Sequence, residues 1–135
     1  MKRLIIFIFF IVLNGCVGPA EPNHGLVENL PAVINKNDVF SFSLRADNFE
    51  YEKAFQTTIF LENNKQLIST LVISDFTAGD SSYISVMGES DTLIYNYQIN
   101  SNLVETEIKN HRTVNKVIIY LRGFSGIIDW VLTEN

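Results

Sequence analysis

Cysteine is nearly absent. Cys16 is the only one in 135 residues, so no disulfide within the chain braces the fold, and a zinc site built on paired thiolates is excluded. Histidine is almost as scarce: His24 and His111 stand far apart, and this is the side chain most used for acid–base work near neutral pH. Proline stops at Pro31, after Pro19 and Pro22, so nothing beyond that point removes a backbone donor. Basic charge is thin, with 10 Lys and Arg against 15 Asp and Glu, a net of −5 and no basic cluster. Nucleic-acid affinity rests on cations neutralising phosphates, so no nucleic-acid partner is expected. Long hydrophobic runs are missing too. The longest, residues 4–13, is ten residues, about half of the ~20 that a membrane-crossing helix needs.

What that run has is a context. Lys2 and Arg3 precede it and Asn14-Gly15-Cys16 follows it, the charged start, short apolar core and small residue before a cut of an export signal. Leu13-Asn14-Gly15-Cys16 resembles the lipobox of bacterial lipoproteins, with Leu three positions before the cysteine and Gly immediately before it. Asn14 departs from the Ala, Ser or Thr usual in that family. The resemblance implies cleavage between Gly15 and Cys16 and acylation of Cys16, palmitate included. Val17 replaces the Asp that commonly marks inner-membrane retention, which implies the outer membrane, facing the periplasm. Two or more acyl chains hold a protein stably where one does not, so the membrane is itself an expected partner.

Removal of residues 1–15 leaves 8 basic and 15 acidic side chains, a net of −7, on one domain's worth of chain. Residues 16–31 read as the acylated cysteine and a Pro/Gly-rich flexible tether. Residues 32–135 read as the folded domain. There the pattern is strand-like almost throughout. Phe40, Phe42 and Leu44 alternate with serines, and Asn35-Lys36-Asn37-Asp38 before them is turn chemistry, predicting a hairpin with residues 32–34. Residues 57–61 and 66–73 predict a second hairpin across Glu62-Asn63-Asn64-Lys65. Residues 82–87 and 92–100 predict a third across Gly88-Glu89-Ser90-Asp91, with Leu93, Tyr95, Tyr97 and Ile99 on one face.

Farther on, residues 103–108 oppose Leu103, Glu105 and Glu107 to Val104, Thr106 and Ile108. Residues 116–122 put Val117, Ile119 and Leu121 inward, and residues 127–133 do the same with Ile128, Trp130 and Leu132, after a turn at Gly123-Phe124-Ser125-Gly126. Only residues 49–55 hint at helix. Eight or nine short strands with turn signals between them predict an all-β fold. An antiparallel β-sandwich of Greek-key, immunoglobulin-like type is expected, with crossings at residues 74–81 and 109–115.

Chemistry is poorly provided for. His24 lies in the tether and His111 in a loop, neither with a signalled partner. Gly123-Phe124-Ser125-Gly126 is one residue short of a G-x-S-x-G nucleophile elbow. Asp75 and Asp80 share a loop but lack the alternating spacing of a calcium hand, and an Asx-type turn explains them better. Any two of Asp75, Asp80, Asp91 and Asp129 would have to lie about 5–9 Å apart for glycoside hydrolysis, which sequence does not establish. Neither metal, cofactor nor catalysis is expected. Tyr120, Arg122 and Tyr83 fall outward on predicted strands and form the candidate interaction surface, since Tyr and Arg are favoured anchors. An exposed edge strand offers strand addition as a further mode.

The Cys16-Val17-Gly18-Pro19 start, a short tether and a compact β domain resemble small periplasmic lipoproteins that serve as immunity proteins against type VI secretion toxins. That resemblance implies a non-catalytic domain that covers a toxin's site. A structural accessory of a secretion or pilus system is the alternative, and a carbohydrate-binding or hydrolytic domain a more distant one.

Overall fold

The computed structural model describes residues 25–61, 65–110 and 113–135. The chain forms β1 (Ala32–Asn35), β2 (Val39–Phe60), β3 (Leu67–Ala78), β4 (Ser82–Met87), β5 (Leu93–Ile99), β6 (Leu103–Lys109) and β7 (Thr113–Glu134), with one 3₁₀ turn at Glu89–Asp91. All pairings between these strands are antiparallel, and they form one continuous sheet. The fold is all-β and sandwich-like, as the alternating pattern predicts.

Two strands decide its shape. β2 and β7 are each 22 residues, roughly 70 Å if straight at about 3.3 Å per residue, far longer than a domain of this size is wide. Both therefore bend, and they bend together. The first layer holds β1, residues 39–46 of β2, residues 126–134 of β7, β3 and β6 in the order β1-β2-β7-β3-β6. The second holds residues 51–60 of β2, residues 113–121 of β7, β4 and β5. Strands that switch layers through bulges are the corner device of orthogonal sheet packing.

The corner chemistry is explicit. The β2–β7 register shifts between Ala46 and Phe49 and again before Tyr51. Asn48 adopts φ 47° and Gly123 φ 56°. The Ser125 hydroxyl accepts from the Asn48 amide at 2.8 Å and donates to the Asp47 carboxylate at 3.2 Å. Glu50 accepts from the Gly123 amide at 3.0 Å. Asn29 clasps the same corner from upstream, accepting from the Asp47 amide and donating to its carbonyl, so the end of the Pro/Gly-rich segment lies on the domain. Gly126, at φ 151°, lets β7 close on β3: an added Cβ would meet Phe76 Cα and the Ser74 carbonyl oxygen at 3.1 Å.

Between the layers lies one core. Phe40, Phe42, Leu44, Val117, Ile119, Ile128, Trp130 and Leu132 are fully buried, as their periodicity predicts. Phe40 from the first half of β2 meets Phe55 from the second at 5.3 Å between ring centroids, which shows the strand folded over itself.

Four expectations are corrected. Residues 49–55 are strand, not helix: they pair with residues 117–124 and turn Phe49, Tyr51 and Phe55 toward the core. The Gly123-Phe124-Ser125-Gly126 turn is a bend within β7, not a break between two strands. The hairpin across residues 62–65 does not form. The end of β2 pairs with the start of β7, while the start of β3 pairs with Lys109 and Glu134. Leu93 is exposed and Ile94 is buried instead, because a bulge after Val86 shifts the β4–β5 register. The hairpins β1–β2 and β4–β5 form as expected, and the chain crosses between layers from β3 to β4 and from β6 to β7.

Gly126→Ala is expected to cost about 1–3 kcal/mol through strain and overpacking. Ser125→Ala, which strips both bonds from the corner, should cost about 1–2 kcal/mol. Urea midpoints read both, and an unchanged midpoint for Gly126→Ala would contradict the close approach of β7 to β3.

Candidate interaction surface

The structure brings together the three residues singled out from sequence. Tyr83 on β4 is the Cα partner of Tyr120 on β7, and their rings stack at 5.3 Å with 22° between planes. Arg122 lies two residues along β7 from Tyr120, on the same outward face, and is exposed. Its main chain is fixed: the amide donates to the Ser82 hydroxyl at 3.0 Å, and the carbonyl accepts from the Asp80 amide at 2.9 Å. Both tyrosines are half-buried and stand on strands paired on both sides.

Register supplies two neighbours that sequence did not reveal. Gln98 opposes Tyr83 and Glu52 opposes Tyr120, so the stacked pair sits mid-row between an amide and a carboxylate. Glu52 lay in the segment whose strand character the sequence disguised. Farther down this face Ser85 donates to the Asn96 side chain at 2.8 Å, and Lys116 holds Asp91 at 2.7 Å. The layout suits surface recognition: two flat amphipathic rings, rigidly held, with a guanidinium and a carboxylate on the same face.

The other cluster of chemically active groups is internal. Tyr97 donates to the Ser69 hydroxyl at 2.8 Å, and Trp130 Nε1 donates to the same oxygen at 2.9 Å. Tyr95 donates to the Leu67 carbonyl at 2.8 Å. Lys109 lies 4.4 Å from the Tyr95 ring centroid and 3.2 Å from the Glu107 carboxylate. Burial, with help from Glu107, pushes the Tyr95 hydroxyl up to about 12, against the smaller lowering by a hydrogen bond from the Lys109 backbone. Burial raises Tyr97 as well, opposed by its Ser69 bond and reinforced by Glu107, Tyr95 and Glu105. These groups stitch β5 to β3 and β6. Both tyrosine hydroxyls and the Trp130 indole donate to structural partners.

Among the described residues no group of three or more His, Cys, Asp or Glu side chains is placed to hold a metal. Asp75 stands at a bulge of β3 with φ 52°, Asp80 accepts from the Ser81 hydroxyl, Asp91 pairs with Lys116, and Asp129 faces outward on the first layer. Gly15, Cys16, His24 and His111 lie outside the described residues. No protein-family model matches the chain, and no curated protein matches it in sequence.

The tyrosine seam fixes the alkaline behaviour of the domain. A folded-state value above the ordinary ~10 of an unfolded tyrosine means that the unfolded chain releases its proton first as pH rises. The stabilising contribution is complete below pH 10 and is lost as pH climbs through about 12 for Tyr95. Chemical denaturation between pH 9 and 12 should show stability falling with pH, with a shallower slope in Tyr95→Phe. An identical slope in that variant would count against the seam as its origin.

Proposed function

We propose that the chain is a lipid-anchored lipoprotein of the bacterial envelope whose β domain binds another protein through the face carrying Tyr83, Tyr120 and Arg122. The specific form of this reading is an immunity protein that covers the active site of a secreted toxin. Anchoring rests on the lipobox-like Leu13-Asn14-Gly15-Cys16 at the end of a short apolar run. Recognition rests on one observation above the rest: the Tyr83–Tyr120 stack on central strands, with Arg122 beside it. Rings already held in place lose little conformational freedom on binding, and Tyr and Arg are the residues in which binding energy concentrates. The arrangement also fits a non-catalytic role, since the buried hydroxyls are spent on packing. The net charge of −7 after processing favours a basic partner surface.

Two experiments test this. Growth with an alkyne-tagged palmitate should label the wild-type protein and leave Cys16→Ala unlabelled; an unlabelled wild type overturns the anchor. For binding, a deletion strain should lose survival beside a competitor that delivers the cognate toxin. Tyr120→Ala with Arg122→Ala should fail to restore it, and should raise Kd at least ~30-fold, about 2 kcal/mol, with an unchanged circular-dichroism spectrum. Full protection by that double variant would exclude this face.

A further inference from the structure

The outward face of the first layer is unlike the rest of the molecule. Across the three outward rows through Val39, Ser41 and Ser43 of β2, Asp129 is the only charged residue on the five strands, and Lys36, just past β1, closes the end of the Val39 row, in a chain of net charge −5. Val104 is 78%, Ile108 55%, Ile34 51% and Val131 41% exposed there. β6 turns Val104, Thr106 and Ile108 to solvent and Leu103, Glu105 and Glu107 toward the margin of the core.

The registers make the face self-complementary. A middle row runs Thr106, Thr70, Val131, Ser41, Ile34 across the five strands. Rows on either side of it match on β6 and β3, with Ile108 against Val104 and Ile68 against Val72, while β7 sets Thr133 against Asp129 and β2 sets Val39 against Ser43. A two-fold axis in the sheet plane, along the middle row, exchanges the flanking rows. On β6 and β3 aliphatic side chains then meet aliphatic ones, Val131 meets its own copy, Val39 meets Ser43, and the single carboxylate meets a threonine hydroxyl. The two Asp129 carboxylates fall about 14 Å apart at ~3.4 Å per residue, beyond the ~8 Å screening length of physiological salt.

We infer that this face joins two copies of the chain, layer against layer, in an isologous dimer. Four strand spacings of ~4.8 Å by three rows, with a side-chain margin, give on the order of 500 Å² per copy. Standard interfaces use about 800 Å² per partner, so the dimer is a weak one. The inference does not depend on the proposed function, since neither Cys16 nor the Tyr83–Tyr120 face takes part.

Cross-linking tests it in the full chain bearing Cys16→Ser, so that an introduced cysteine is the only thiol. Packed sheets stand about 10 Å apart, too far for a direct disulfide and within reach of a short bismaleimide. Val131→Cys should yield cross-linked dimer at least tenfold above Gln98→Cys, which lies on the opposite outer face. A mixture of Ile108→Cys with Val104→Cys should cross-link better than either alone. Val131→Lys, which opposes like charges at the axis, should sediment as monomer with an unchanged circular-dichroism spectrum. Equal cross-linking at Val131→Cys and Gln98→Cys overturns the inference, as does a wild type that sediments as monomer at 100 µM or a Val131→Lys variant that remains dimeric.

Discussion

A straight 22-residue strand does not fit in a domain this small, and the chain contains two of them paired to each other. That conflict between strand length and domain width governs the architecture. Because β2 and β7 are hydrogen-bonded along most of their length, neither can bend alone without breaking the ladder. They bend at matched positions, where Asp47 and Asn48 face Ser125. The residues there are those whose backbone or side chain tolerates a break in pleat: Asn48 and Gly123 at positive φ, Gly126 pressed on β3. Once the pair is folded over, its inner faces become both walls of the sandwich, and β1, β3 and β6 on one side and β4 and β5 on the other extend what the pair began.

Bending alone leaves the sandwich open along the side where β5 meets β3 and β6. With no second cysteine to pin it, the chain closes this side with buried hydrogen bonds. Ser69 receives both Tyr97 and Trp130, and Tyr95 reaches the main chain of β3. Such bonds are costly to leave half-made, so they specify one registration of the two layers where aliphatic packing alone tolerates several. The same tyrosines stack on each other at 5.9 Å, adding ring contact to polar fit.

Strand content, two hairpins and most of the core were legible because period-two alternation is written residue by residue, as in Phe40, Phe42 and Leu44. Strand identity was not. Glycines 123 and 126 look like a turn in sequence, yet a glycine that ends one strand and a glycine that bends a continuous one carry the same letter. The Glu62-Asn63-Asn64-Lys65 stretch has turn chemistry whether the flanking strands pair or part, and partner choice is decided by the long-range pull of β7. At the candidate surface, the outward direction of Tyr83, Tyr120 and Arg122 followed from alternation alone. The adjacency of Tyr83 to Tyr120 did not, because it depends on the β4–β7 pairing of segments about forty residues apart.

The polarity of β6 ties the edges of the sheet to its faces. β6 is the last strand of the first layer, and an unpaired edge invites strand addition unless something opposes it. Glu105 and Glu107 point to the inner margin, where Lys109 pairs with Glu107. A strand added beyond β6 would have to lay its own inner side chains over these carboxylates. That discourages growth at the edge, and its geometric consequence is unavoidable: turning the acids inward turns Val104 and Ile108 outward. Discouraging contact along the edge thus creates a largely apolar surface across the face, with Asp129 its one carboxylate, while the tyrosine–arginine surface stands on the opposite layer, 22-residue strands linking the two. A ligand on either layer therefore bears on the same pair of strands, and the Asp47–Ser125 corner is where strain in one layer would reach the other.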